Sequence, residues 1–206
     1  MSEYPMKDLE IRDRYLLLNR LVAPRPIALV SSLDRHGRGN LAPFSFFNLG
    51  GANPPSAVFC PLNDRHGESK DTLHNIRETK EYVISIVTRA LAEKVNQASW
   101  SYARGVDEFD QAGLTRADSR IVAPPRVVES PVSMECRLFQ VVEHGEGALA
   151  SAYIIGEIVH IHVDDGVLTK GMPDPLKLDQ VGRCGADWYS RVTAESMFEL
   201  GRPQGP

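Results

Sequence analysis

Apolar residues along this chain fall mostly into short runs bounded by turn-forming residues, the pattern of strands rather than of long helices. Five runs stand out: Ile27–Leu33, Ala57–Pro61, Tyr82–Val87, Val132–Val142 and Ala152–Val163. The clearest unit is a long hairpin, Val132–His144 and Ala150–Asp164, joined by Gly145-Glu146-Gly147. In its second strand Val159, Ile161 and Val163 alternate with His160, His162 and Asp164, which predicts an apolar face and a wet one. A tighter hairpin is expected at Asp34-Arg35-His36-Gly37-Arg38-Gly39-Asn40, whose Gly, Asn and Asp residues suit a strand connection. The next strand carries Pro43, which cannot donate to a ladder and so belongs at an edge or a bulge.

Two helices are expected between the strands. Ser69 reads as the N-cap of the first, with Asp71 where the helix dipole favours a carboxylate and Leu73, Ile76 and Thr79 as its inner stripe. The second runs roughly from Ala90 to Ser99, with Leu91, Val95 and Ala98 on one side. Ala123-Pro124-Pro125 marks an extended connection, no Gly/Ser linker divides the chain, and no internal repeat is expected. The pattern therefore predicts a single, mainly β domain over residues 1–206 with flanking helices, built as a small closed or split barrel.

Composition narrows the function classes. A chain of 206 residues, 42 % of them hydrophobic, can bury a substantial core. A formal net charge of -4 argues against a nucleic-acid surface. No apolar run is long enough to span a membrane, and Met1-Ser2-Glu3-Tyr4 opens no secretory signal, so a cytoplasmic location is expected. Cys60, Cys136 and Cys184 stand in no CxxC spacing; they read as small buried apolar residues, with no disulfide framework and no zinc site.

Candidate chemistry concentrates in two places. Around Pro43, the run Phe44-Ser45-Phe46-Phe47-Asn48 combines free backbone amides with flat apolar surface, both of which a planar hydrogen-bonding cofactor needs. At the Ser69 helix, first-turn N–H groups, the Lys70 charge and the Ser69 and Thr72 hydroxyls suit a phosphate, with Asp71 expected to point away. His160 and His162 share a strand face but lack further ligands at a usual spacing, and read as solvated surface. The acidic run Asp107–Asp110 is assigned no chemistry, and no catalytic nucleophile stands out. Gly37-Arg38-Gly39 meets neither a third glycine nor a helix, which argues against a Rossmann dinucleotide site.

These blocks resemble, in order, the flavin reductase-like family, whose members bind FMN in a split β-barrel. The resemblance begins in Arg25–Ser32 and Asn40–Asn48 and resumes in Ser69–Ile76, Gly105–Phe109 and Ala112-Gly113-Leu114. It returns in Pro124–Val127, in Ile154–Val159 and in Leu178-Asp179 through Gly185 to Trp188-Tyr189, so it covers about residues 15–190. The resemblance implies FMN bound by Ser31 or Ser32, by Pro43, Phe44, Ser45, Phe46, Phe47 and Asn48, by Ser69, Lys70 and Thr72, and by Arg183. Strand alternation would admit only one of Ser31 and Ser32, and would set Phe44 and Phe46 opposite Ser45 and Phe47. It further implies an NAD(P)H-dependent flavin oxidoreductase, with NADH or NADPH a transient reductant and free flavin or a partner oxygenase as acceptor. A homodimer with FMN near the subunit interface is also implied. The alternatives are a non-catalytic FMN electron carrier of flavoredoxin type and a split barrel holding no flavin. One departure stands out: Ala186 replaces the second glycine of the family's loop, where a methyl over the flavin would narrow nicotinamide access.

Overall fold

A computed structural model describes residues 1–203 and 205. Its centre is an antiparallel sheet of seven strands: β1 Ala28–Leu33, β2 Gly39–Phe44, β3 Phe47–Ala52, β4 Pro55–Phe59, β5 Glu81–Ile86, β6 Val132–His144 and β7 Ser151–Val163. Their spatial order is β2-β1-β5-β6-β7-β4-β3. The two edges, β2 and β3, are thus neighbours in sequence, separated only by Ser45 and Phe46. That connection curls the sheet upon itself while no ladder joins its edges, which is the split of a split barrel. Pro43 sits on the β2 edge opposite Leu29, where its missing N–H costs no ladder bond.

β1 is buried on both faces, which explains its unbroken apolar run. Ala28 and Val30 enter the barrel core with Phe59, Tyr82, Ile84, Cys136 and Ile154. Ile27 and Leu29 face outward into a second core with Leu41, Leu91, Val95 and Phe109. Helix α1, Ile11–Leu21, precedes the sheet; α2 is Asp71–Thr79, α3 Ala92–Ala98 and α4 Glu108–Ala112. The helix expected over Ala90–Ser99 is α3 extended by a 3₁₀ turn at Arg89–Leu91. In α2, Leu73 and Ile76 plug the barrel core as expected. The N-cap position, however, belongs to Lys70 rather than Ser69, and no side chain caps it. Near the end, β8 Val181–Gly185 and β9 Trp188–Arg191 form a small sheet with Arg25–Pro26. Among the described residues no helix is long and apolar enough to cross a membrane.

The β6–β7 hairpin lies within one residue of its expected bounds, but its expected wet face is only partly exposed. Ile161 is 51 % exposed, whereas His162 turns to the fully buried Glu135. The Glu135 carboxylate accepts the N–H groups of Arg120, Ile121 and Val122 at 2.7, 2.6 and 3.0 Å. That segment covers Glu135 and leaves His160 and His162 half-buried rather than fully solvated. Burial pushes the Glu135 pKa up, but these N–H bonds and the His162 ring outweigh it and hold the carboxyl down to about 2. Alternation shows which residues share a face; it cannot report which face another segment covers.

The barrel closes around Tyr82, fully buried and edge-on to Phe59 at 5.6 Å between ring centroids. A Cβ on Gly156 would stand 1.9 Å from the Tyr82 hydroxyl, so this strand glycine makes room for the ring. Gly156→Ala is therefore expected to destabilise the protein by about 2–3 kcal/mol, read as a shifted urea midpoint at unchanged slope. Tyr82→Phe should be neutral or stabilising in the same measurement, because among the described residues the buried hydroxyl has no hydrogen-bond partner.

Candidate functional site

The Ser45–Phe46 link that joins the sheet edges also forms one wall of a cleft of about 840 Å³. Pro43 and Phe44 continue that wall, the segment Cys60–His66 after β4 faces it, and Lys70, Trp100, Tyr15 and Leu149 complete the rim. A side cavity of about 360 Å³ opens beyond Lys70, lined by Ser69, Asp71, Thr72, Arg104 and Glu108. On the other flank a more apolar groove of about 500 Å³ runs between α1 and the β6–β7 turn.

Arg25 fixes the wall. It is 6 % exposed, and among the described residues no carboxylate pairs with it. Its Nη1 donates to the carbonyls of Asn19 and Val22, both at 2.5 Å, and Nε donates to Ser45 Oγ at 3.3 Å. Those carbonyls belong to the C-terminal end of α1, where orphan acceptors and the negative end of the dipole favour a cation. The guanidinium also lies 5.7 Å from the centre of the Phe46 ring. One buried side chain thus ties α1 to both residues of the link. Burial lowers its pKa.

Seven of the residues singled out from sequence line the cleft or its side cavity: Pro43, Phe44, Ser45, Phe46, Ser69, Lys70 and Thr72. The expected alternation fails here, because β2 ends at Phe44 and Ser45 and Phe46 form a link rather than strand; Phe44, Ser45 and Phe46 all reach the cleft. Phe47 instead packs on the barrel core, and Asn48 is exposed on β3, its side chain accepting the Leu49 N–H. Ser31 and Ser32 are 1 % and 0 % exposed within β1 and line neither cavity; Ser32 Oγ accepts from Asn75. Arg183 lies over the Tyr189 ring at 4.5 Å, outside the cleft lining. Ala186 is exposed in the β8–β9 turn at φ +45°, so its methyl stands in solvent rather than over the cleft.

The polar lining is largely engaged. Thr72 Oγ1 accepts from Asn40 at 2.8 Å. Asp71 does not point away: it lines the side cavity, but Arg104 pairs with it at 3.4 Å. Glu108 accepts the Leu41 N–H at 2.8 Å, and burial raises its pKa. Burial also pushes the Cys60 thiol up to about 11, so it stays protonated.

Sequence reasoning missed Tyr15, Arg65, His66, Trp100 and Arg104. One signal was present: Asp64-Arg65-His66-Gly67 has the same four residues as Asp34-Arg35-His36-Gly37. Both copies fold alike. Asp34 Oδ1 accepts the N–H groups of His36 and Arg38 at 2.8 and 2.9 Å, and Asp64 Oδ1 those of His66 and Glu68 at the same distances. The second copy presents Arg65 and His66 at the cleft mouth.

Residues 20–182 match the family described as the flavin reductase like domain. Solved structures agree. Nitrilotriacetate monooxygenase component B from Bacillus cereus is 30 % identical, with a TM-score of 0.91 over 97 % of this chain and 98 % of that one. The 2-nitrobenzoate 2-nitroreductase of Pseudomonas fluorescens is 28 % identical, with a TM-score of 0.85 over 98 % and 96 %. Flavoredoxin of Desulfovibrio vulgaris is 27 % identical, with a TM-score of 0.74 over 87 % and 91 %.

Arg25→Met leaves buried acceptors unpaired and should cost roughly 2–4 kcal/mol in urea unfolding, with Arg25→Lys recovering only part of it. Cys60 should resist alkylation at pH 8 and react readily only as the pH approaches about 11, as mass spectrometry of the labelled protein will show.

Proposed function

The chain belongs to the flavin reductase-like family, and we propose that it holds FMN in the cleft beside Ser45–Phe46 and passes electrons from NADH or NADPH to free flavin or a partner oxygenase. The observation that carries this reading is the cleft itself. Its volume suits a small-molecule site, an aromatic wall lies on one side, and the N-terminus of α2 lies on the other. Bound there, FMN would supply the hydride and electron chemistry, and the protein's share is binding, orientation and electrostatics.

Each group has a role under this proposal. Lys70, the uncapped first-turn N–H groups of α2 and the Ser69 hydroxyl would hold the phosphate. Asp71 would oppose an anion there, and Arg104 offsets it. Phe44 and Phe46 offer apolar surface to the ring system, while Arg25 holds Ser45 in place as a polar contact. Negative charge developing on a reduced flavin would be met by backbone N–H groups of the link. The chain has no glycine-rich dinucleotide fingerprint, so NAD(P)H would bind weakly and transiently in the open part of the cleft.

Exposed apolar residues support a second copy as partner: Leu18 and Leu21 on α1 are 49 % and 68 % exposed, and Phe139 on β6 is 75 % exposed. Ser31, Ser32, Phe47, Asn48 and Arg183, which do not line this chain's cleft, retain a role only through a shared interface or second-layer support. A reducing cytoplasm suits the free cysteines. The similarity to flavoredoxin favours a second reading, an FMN electron carrier that NAD(P)H does not reduce.

The purified protein should be yellow, or become so with FMN, and bind FMN more tightly than riboflavin; equal affinity for the two would remove the phosphate site. Lys70→Ala should weaken FMN by about 1.5–3 kcal/mol in fluorescence titration. Anaerobic NADH or NADPH should bleach the bound flavin. Bleaching by neither would transfer the case to the electron carrier, and no flavin uptake at all would sink both. Sedimentation should find a dimer at micromolar concentration.

A further inference from the structure

The β6–β7 hairpin carries a cluster that the cleft does not use. His160 and His162 lie two residues apart on β7, so their rings share one face, 4.7 Å between centroids. Ile158 pairs with Cys136 on β6, but His160 pairs with the next residue, Glu135, so Val159 is an extra residue in the ladder. This bulge turns both histidines onto the face of Glu135. One ring nitrogen from each histidine and one Glu135 oxygen all lie within 4.8 Å of one another.

We propose that Glu135, His160 and His162 form a site for a divalent transition-metal ion of the zinc class, separate from the cleft. Two imidazoles and one carboxylate are a donor set such an ion accepts, with water at the remaining position. The carboxylate is already oriented, because Ile121 and Val122 donate their N–H groups to Oε2 and Arg120 donates to Oε1, the oxygen that also meets His162. His162 Nε2 and Glu135 Oε1 stand 2.5 Å apart. Two ligand atoms on a tetrahedral ion are roughly 3.3 Å apart, so a withdrawal of the ring by about 1 Å admits the metal. Without metal, a proton bridges the same pair. Glu135 is fully buried and the His162 side chain is 24 % exposed, so an ion enters from the histidine side. Once bound, it fastens β7 through Glu135 to the Arg120–Val122 segment.

The test uses the untagged full-length protein, stripped of metal with a chelator. Calorimetry with Zn²⁺ should give one ion per chain, and Co²⁺ should develop the visible absorption of a four-coordinate site. His160→Ala leaves the His162–Glu135 bond and the Glu135 cradle intact, so its metal-free thermal midpoint should match the native protein. Its metal affinity should fall on the order of 100-fold. Glu135→Gln should lose the ion as well, and His160→Ala remains decisive if that variant folds poorly. Failure of the native protein to take up one ion per chain overturns the site. Uptake that His160→Ala leaves equally tight overturns it too, because the ion then sits on other histidines.

Discussion

Two residues carry the chain from one edge of a seven-stranded sheet to the other, and the rest of the structure follows from that. Phe44 and Phe47 are three residue steps apart, no more than about 11 Å, yet they belong to strands at opposite ends of the ladder order. The sheet can meet this constraint only by curling. Curling brings Phe59, Tyr82 and Ile154 into a common interior, and it makes Gly156 necessary where the Tyr82 ring needs space. The edges meet at the link without pairing, so the link's own polar groups stay outside the ladder. The Phe46 carbonyl accepts the Cys60 N–H at 2.8 Å, and a cleft at this point inherits the aromatic wall.

A two-residue link between sheet edges would be soft if nothing held it. Arg25 supplies the restraint, bridging Ser45 to the end of α1. A buried cation without a carboxylate partner is costly. Here the helix-end carbonyls offer it partial negative charge and satisfy their own need for donors at the same time. The C-terminal sheet completes the clamp. Arg25 pairs with Arg183 in register, and a Cβ on Gly185 would come within 2.8 Å of the Asn19 carbonyl. Segments far apart in sequence thus converge on the helix end that positions the cleft wall.

How much of this was legible beforehand depended on whether the determining contact was local. The long hairpin, the stripe of α2 and the edge placement of Pro43 follow from alternation, helical spacing and the missing N–H of proline, and all three were readable. The cap at Lys70 was not, because Ser69 has the right side chain but the helix begins one residue later than its chemistry suggests. The Phe44–Asn48 run was read as strand, and alternation then misassigned its faces. Nothing in those residues announces that the ladder stops at Phe44. The face of His160 and His162 was misread for a different reason: Glu135 and the segment covering it arrive from other parts of the chain. Arg25 lay inside the segment that carried the family resemblance, but its role appears only when α1 packs against it.

The lining chemistry explains why the cleft reads as a binding site more than a covalent one. Its thiol is held protonated by burial, and Asp64 already accepts two backbone N–H groups. Asp71 is paired with Arg104, and Glu108 accepts a backbone N–H. Such engagements hold these acidic and thiol groups in place and leave them little freedom to act as a nucleophile or a mobile base. What remains available is aromatic surface, the uncapped end of α2, the exposed cations Arg65 and Lys70, and the His66 imidazole at the mouth. That inventory suits an anionic, planar guest which brings its own reactivity. The constraint that curls the sheet therefore also shapes the seat, and under the proposed function a bound flavin would supply the chemistry.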